Sequence, residues 1–227
     1  MNAELNEKVV VVTGALGALG RAVVEAAADA GATLVAIDRV AAPSPRGAAF
    51  ACTLDLADAQ ATQAAMATIA QRHGRIDALV NVAGGFRWET LADGSIETWD
   101  QLYGINLRTA VNASRAVLPH LSAGGRIVNI GAVAAVKATA GMGAYAASKA
   151  GVARLTEALA EELKARDITV NAVLPSIIDT PANRADMPDA DVSKWVTPRS
   201  LADVIVFLLG PRAAAVTGAL IPVVGRV

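Results

Sequence analysis

Tyr145 and Lys149 lie in the stretch Tyr-Ala-Ala-Ser-Lys at 145–149, one helical turn apart, so on a helix both side chains share a face. A phenol has an ordinary pKa of about 10, too high for proton work at neutral pH. A lysine ammonium beside it favours the phenolate and draws that pKa down, which makes the pair a general acid/base poised nearer neutrality.

The elements that must position this pair alternate between strand and helix. A β-branched run at 9–13 is followed by a Gly-rich turn and an Ala-rich helix over 18–30, with Gly31 as its C-terminal cap. Strands are predicted at 33–38, 50–54, 76–82, 126–130, 168–174 and 219–224, and helices up to residue 73, over 97–121, over 145–166 and over 201–209. Apolar strands separated by helices predict a parallel sheet covered on both sides. Right-handed crossovers then give an α/β fold, a Rossmann-like doubly wound parallel sheet of about seven strands with helices on both faces. No linker divides the chain, which reads as one domain over 1–227.

Of the 227 residues, 54% are hydrophobic and 18% charged, and the net charge is −1. That balance leaves no electrostatic footprint for nucleic acid or an anionic membrane. The first eight residues carry two acids and no apolar run, unlike a signal peptide. No stretch reaches the roughly 18 apolar residues that span a bilayer; the one at 201–216 is broken by Asp203, Pro211 and Arg212. A cytoplasmic protein is expected. Cys52 is the only cysteine, which excludes an intrachain disulfide and reads as a small core hydrophobe. His73 and His120 stand at predicted helix ends, where the helix dipole accounts for them, and no metal site is expected. So much apolar surface with so little charge points to a homodimer or homotetramer.

Thr13-Gly14-Ala15-Leu16-Gly17-Ala18-Leu19-Gly20 follows the first strand and opens a helix, the context a dinucleotide site requires. Small residues let the backbone approach a pyrophosphate, and the helix N-terminus offers free N–H groups and partial positive charge. Asp38 ends the second strand, where a carboxylate accepts ribose hydroxyls and repels a 2′-phosphate. NAD(H) is therefore expected over NADP(H), although the adjacent Arg39 tolerates a phosphate. Asp55-Leu56 and Asn81-Val82-Ala83-Gly84-Gly85 lie at carboxyl ends of strands, where ligands bind in open sheets. Asp55 fits a helix cap equally well, and Asn81 a turn.

The order Gly-rich turn, Asp38, Asp55, Asn81-Val-Ala-Gly, Asn106, Tyr145-x-x-x-Lys149 and Pro175-Ser-Ile-Ile-Asp-Thr180 resembles the classical short-chain dehydrogenase/reductases over essentially the whole chain. The resemblance implies that Gly14, Leu19 and Gly20 hold the pyrophosphate, Asp38 the adenosine ribose, Asp55 and Leu56 the adenine, and Asn81, Ala83 and Gly84 the adenosine side of the cleft. It implies Tyr145 as proton donor, Lys149 on the nicotinamide ribose, and Asn106 holding a water in a proton relay. Pro175, Ile178 and Thr180 would flank the nicotinamide.

Three positions depart from that family: Ala18 for the middle glycine of the turn, Ser176 for a glycine, and Ala132 for the catalytic serine about thirteen residues before the tyrosine. Alanine donates no hydrogen bond, and losing such a donor costs about 2–4 kcal/mol of transition-state stabilisation. Alanine in that slot is similar to the dihydropteridine reductase-like branch, as are Phe86 after Gly85, Gly141-Met142, and the run from Asp179-Thr180-Pro181-Ala182-Asn183-Arg184 to Trp195. The expected reaction is hydride transfer from NADH to a conjugated imine or carbonyl. A general carbonyl or 3-oxoacyl reductase is the alternative, followed by a non-catalytic dinucleotide-binding protein. Phe86, Trp88 and Trp195 are expected to line a wall for a flat small-molecule substrate beside Ala132. Arg87 is a candidate for a polar substrate group, and Lys137 and Thr139 are candidates to replace the missing donor. Residues 181–195 are expected to form the substrate lid.

Overall fold

In the computed structural model, which describes residues 4–227, β1 (Val9–Thr13) consists of four valines and a threonine buried at every position. Such β-branched runs suit a pleated surface packed on both sides. β4 (Ile76–Asn81) and β6 (Thr169–Pro175) are likewise buried throughout, β2 (Thr33–Asp38) over its four central residues, and β5 (Leu121–Ile130) from Gly125 to its end. The outer strands β3 (Ala48–Thr53) and β7 (Leu220–Val223) are only partly covered, as sheet edges are.

All seven strands run parallel, in the order β3-β2-β1-β4-β5-β6-β7. The chain builds outward from β1 to β3, returns to place β4 beside β1, and then builds the other way. The reversal opens a crevice at the carboxyl ends of β1 and β4, the place where such sheets bind ligands.

Alternate residues of each strand feed two cores. Val10 and Val12 face α1 (Ala18–Asp29) and α7 (Pro198–Leu209), packing with Val23, Val24, Leu201 and Ile205. Val9 and Val11 face the other side, with Met66 and Ile69 of α2 (Ala59–His73), Ala113 and Val117 of α4 (Thr109–Val117) and Leu159 and Leu163 of α5 (Gly143–Leu163). The helices start at side-chain caps where the sequence offers them: Asp58 accepts the Ala61 N–H and Thr197 the Ser200 N–H. Gly74, at φ 77°, turns the chain left-handed to end α2.

The single helix expected over 97–121 is instead three pieces. α3 (Ile96–Leu102) runs into a π-helical segment, Tyr103–Arg108, which hands over to α4; a 3₁₀ turn follows and β5 begins at Leu121. The Thr109 N–H bonds the Gly104 carbonyl, the i→i+5 step that widens the helix there. Residues 181–195 fold as a short helix, α6 (Pro181–Asp186), followed by a 3₁₀ turn over Val192–Lys194. Cys52 is half-buried, and burial pushes its thiol pKa up. No helix among the described residues is long and apolar enough to cross a membrane.

Candidate active site

The Gly-rich turn is shaped by close approach. Gly14 has φ +61°, and a Cβ there would stand 2.8 Å from the Ala83 nitrogen. A Cβ on Gly20 would overlap the Gly14 carbonyl oxygen. Thr13 ties the turn to the β4 loop, its hydroxyl accepting the N–H groups of Val82 and Ala83, both at 3.1 Å. Gly17 is the N-cap of α1 and brings no side-chain oxygen, so the first-turn N–H groups are open to an anion. Ala18 is the first helical residue, a position that asks nothing of glycine. Across the turn, the Asp38 carboxylate accepts the Leu16 N–H at 3.0 Å and the Val40 N–H at 3.3 Å. The acid therefore stands against the turn.

Tyr145 and Lys149 occupy the first turns of α5. Burial pushes the Tyr145 pKa up to about 12 and the Lys149 pKa down to about 8. The Lys149 ammonium donates to the Ile130 carbonyl at 2.8 Å. Burial alone sets the direction of the Tyr145 shift, opposite to the expected draw of the lysine toward neutrality, and the ammonium is turned to the Ile130 carbonyl.

Ala132 is buried, and its methyl packs with Ala134, Ala146, Met142 and Tyr145. The slot of the missing serine is apolar. The Thr139 hydroxyl is engaged with Met142 Sδ at 3.0 Å, and Lys137 is exposed on the loop before α5. Arg87 is paired with Glu89 at 3.2 Å.

Asn106 sits inside the π-helical segment, 2% exposed. Its Oδ1 accepts the Gly85 N–H at 2.8 Å, and its Nδ2 donates to the Gly85 carbonyl at 3.1 Å and to Ser148 Oγ at 2.9 Å. Ser148 Oγ in turn donates to the Tyr145 carbonyl at 2.7 Å. The Asn106 amide is thus fully engaged in joining the β4 loop to α5. Ser148 is a member of this site that Tyr-Lys spacing alone does not single out, although it lies inside the same five-residue stretch. A Cβ on Gly84 would meet Asn106 Oδ1 at 2.6 Å and Lys149 Nζ at 3.4 Å, so Gly84 lies directly over both.

Three of the implied cofactor residues are held by contacts within the protein. The Asn81 side chain points inward, its Nδ2 donating to Ser114 Oγ (3.1 Å) and Asn129 Oδ1 (2.9 Å), while Asn129 donates to Thr156. It joins β4 and β5 to α4 and α5. The Leu56 side chain is core, packed below α4. Asp55 accepts the Ala57 N–H at 2.9 Å, and Asp58 is the cap of α2.

The loop after β6 closes on itself. Ile178 bridges Val196, Asn183 donates to the Ile178 carbonyl at 2.7 Å, and Arg184 grips the Asp179 carboxylate with two bonds, at 2.5 and 2.8 Å. Thr180 Oγ1 accepts the Asn183 N–H and caps α6. Pro175 ends β6, and the Ser176 hydroxyl donates to the Val224 carbonyl at 2.8 Å, tying the residue after β7 to the base of this loop. Trp195 is 7% exposed and stands in the stem of this loop against Gly225. That corrects its assignment to an open aromatic wall. Phe86 and Trp88 are exposed, and the Phe86 ring meets the Tyr145 ring edge to face at 4.9 Å.

Residues 8–191 match the family model described as short chain dehydrogenase. The 3-oxoacyl-[acyl-carrier-protein] reductase FabG of Vibrio harveyi is 33% identical over 234 residues, 94% of each chain. The meso-2,3-butanediol dehydrogenase of Serratia marcescens is 33% identical, over 97% of this chain and 94% of that one. The structure of a short chain dehydrogenase from Burkholderia cenocepacia J2315 in complex with NADP superposes with a TM-score of 0.87, at 30% identity and 98% coverage of both chains.

Proposed function

Because this chain belongs to the short-chain dehydrogenase family, we propose that it is a nicotinamide-dependent reductase of a small-molecule carbonyl, with Tyr145 as proton donor. The observation that carries the reading is the Tyr145–Lys149 pair on the buried first turns of α5, joined through Ser148 and Asn106 to the β4 loop beside the Gly-rich turn.

The residues present fit a dinucleotide. Gly14, Leu19 and Gly20, with the open N–H groups of α1, suit a pyrophosphate, and Ala83, Gly84 and Lys149 line the path toward Tyr145. When bound, the nicotinamide supplies the hydride. Tyr145 then gives its proton to the carbonyl oxygen; a neutral phenol at physiological pH is the form this needs. Lys149, charged below about pH 8, stabilises the phenolate left behind. Ile178 and Thr180, at the neck of the lid, would meet the nicotinamide end, and Asp55 would flank the adenine. Asp38 supports NAD(H) over NADP(H), since a carboxylate at the end of β2 beside the Gly-rich turn would repel a 2′-phosphate.

The named relatives are a 3-oxoacyl-[acyl-carrier-protein] reductase and a meso-2,3-butanediol dehydrogenase, which supports chemistry between a carbonyl and an alcohol. Ala132 favours a second reading, reduction of a conjugated imine of the dihydropteridine reductase-like kind. Such a substrate is already electrophilic and needs no second hydrogen-bond donor. The apolar side chains exposed along α3 to α4, Ile96, Trp99, Tyr103 and Val111, support a homodimer or homotetramer.

The test is cofactor oxidation with 3-oxoacyl thioesters, hydroxy-ketones and a quinonoid dihydropterin, in wild type and Tyr145→Phe. Ketone turnover lost in the variant supports the first reading, and pterin turnover alone the second. Tight NADH binding with no turnover of any acceptor overturns both in favour of a binding protein.

A further inference from the structure

Gly141 and Trp88 form a joint beside Tyr145 that the proton chemistry does not use. Gly141 has φ +75°, and a methyl group on its Cα would overlap Cε2, Nε1 and Cδ2 of the Trp88 indole. The indole therefore rests directly on the Gly141 backbone. Two hydrogen bonds lock the contact: Trp88 Nε1 donates to the Ala140 carbonyl at 3.0 Å, and the Glu89 N–H donates to the Gly141 carbonyl at 2.8 Å. Despite this bracing, Trp88 is 59% exposed and Phe86 52% exposed. The Trp88 indole is thus held in place while both aromatic surfaces are left in water, an arrangement that forgoes burial free energy and lowers the ordering cost of binding at the indole.

We propose that Gly141 and Trp88 form a specificity subsite for a planar aryl group of the substrate, with Gly141 fixing the plane of the indole and Phe86 carrying the surface on to Tyr145. The proposal rests on the reading that a carbonyl is reduced at Tyr145. Its chemistry follows from the lining. Phe86 stands on the Tyr145 ring, and Met142 and Ala132 pack on the same tyrosine, so the surroundings of the phenol are apolar. Arg87, the charged residue between Phe86 and Trp88, is ion-paired to Glu89, which leaves an uncharged flat group as the better match.

The experiment compares kcat/KM for acetophenone and for a saturated methyl ketone of equal carbon number in wild type, Trp88→Leu and Gly141→Ala. The aryl-to-alkyl ratio is expected to fall about fivefold to tenfold in both variants, chiefly through KM, with the NADH dissociation constant unchanged. An unchanged ratio in Trp88→Leu overturns the proposal. Binding is read separately by titrating 1-phenylethanol against tryptophan emission without cofactor. Quenching in wild type that Trp88→Leu loses, and that needs about fivefold more ligand in Gly141→Ala, supports the subsite. No quenching in wild type overturns it. Wild-type silence with every ketone would overturn the proposed function, while the titration still decides the subsite.

Discussion

The Lys149 ammonium is bonded to the carbonyl of Ile130, the last residue of β5, and Ala132 follows two residues later. One buried lysine thereby ties the helix of Tyr145, the proposed proton donor, to the end of the strand that precedes Ala132. The bond holds the charge while burial works against it, and both groups of the pair are pushed toward their neutral forms.

That bias has a direction in catalysis. With Tyr145 at about 12, the phenol is fully protonated at neutrality, so carbonyl reduction should vary little between pH 6 and 8. Alcohol oxidation needs the phenolate, whose fraction rises about tenfold per pH unit below the pKa. Steady-state rates in both directions over that range check this. A flat oxidation profile would mean that bound ligands, and not burial, set the tyrosine.

Lys149 also has a signature in stability. Its folded pKa is depressed from 10.5 to about 8, so below pH 8 both states are protonated and the burial cost is fully present. As pH rises from about 8 to 10.5 the unfolded chain binds more protons than the folded one, and stability rises; above 10.5 the cost is gone. Lys149→Met removes roughly 3 kcal/mol of that cost at pH 7, offset by about 1–3 kcal/mol for the Ile130 carbonyl left without its donor. Urea unfolding of both proteins should show the variant's stability relative to wild type falling by roughly 3 kcal/mol between pH 7 and pH 10.5. A constant difference would place the ammonium in a solvated site.

Asp38 predicts cofactor choice. Its carboxylate faces the Leu16 N–H across the turn, where a 2′-phosphate would meet like charge. Wild type should favour NADH, and Asp38→Ser should raise the NADPH-to-NADH ratio of kcat/KM by at least about tenfold. A wild type that already prefers NADPH would show that Arg39 prevails over the carboxylate.

The strand–helix alternation was legible because β-branched runs and Gly caps act locally. The Gly-rich turn was legible because its glycines are forced by contacts within a few residues, as Gly20 is by the Gly14 carbonyl. What spacing could not reveal is burial. Leu56 and Trp195 carry the right side chains for a cleft, yet packing from distant segments draws them inside. Asn81 follows a strand as a ligand residue would, but Ser114 and Asn129 supply partners that turn it inward. The π-helical break at Tyr103–Arg108 leaves no periodic trace, and Gly85, from another loop, is what engages Asn106 there. The burial that raises the Tyr145 pKa is of the same kind: a charge four residues away is visible in sequence, and desolvation is not.

Ala132 offers the sharpest separation between the two proposed substrate classes. Its Cβ lies in an apolar cluster against Tyr145, so Ala132→Ser would bring a hydroxyl to the proton donor's side. For an unactivated ketone, a donor there strengthens as negative charge develops on oxygen, and kcat should rise at least about tenfold. A conjugated imine delocalises that charge and should gain little. Ala132→Gly controls for space without adding a donor and should not reproduce the gain. The buried hydroxyl also costs about 1–3 kcal/mol wherever it finds no partner, so a lower Tm with no kinetic gain for any ketone is the contrary outcome. That result would show that the site is built for a substrate needing one donor, and it would move the assignment from the carbonyl to the imine.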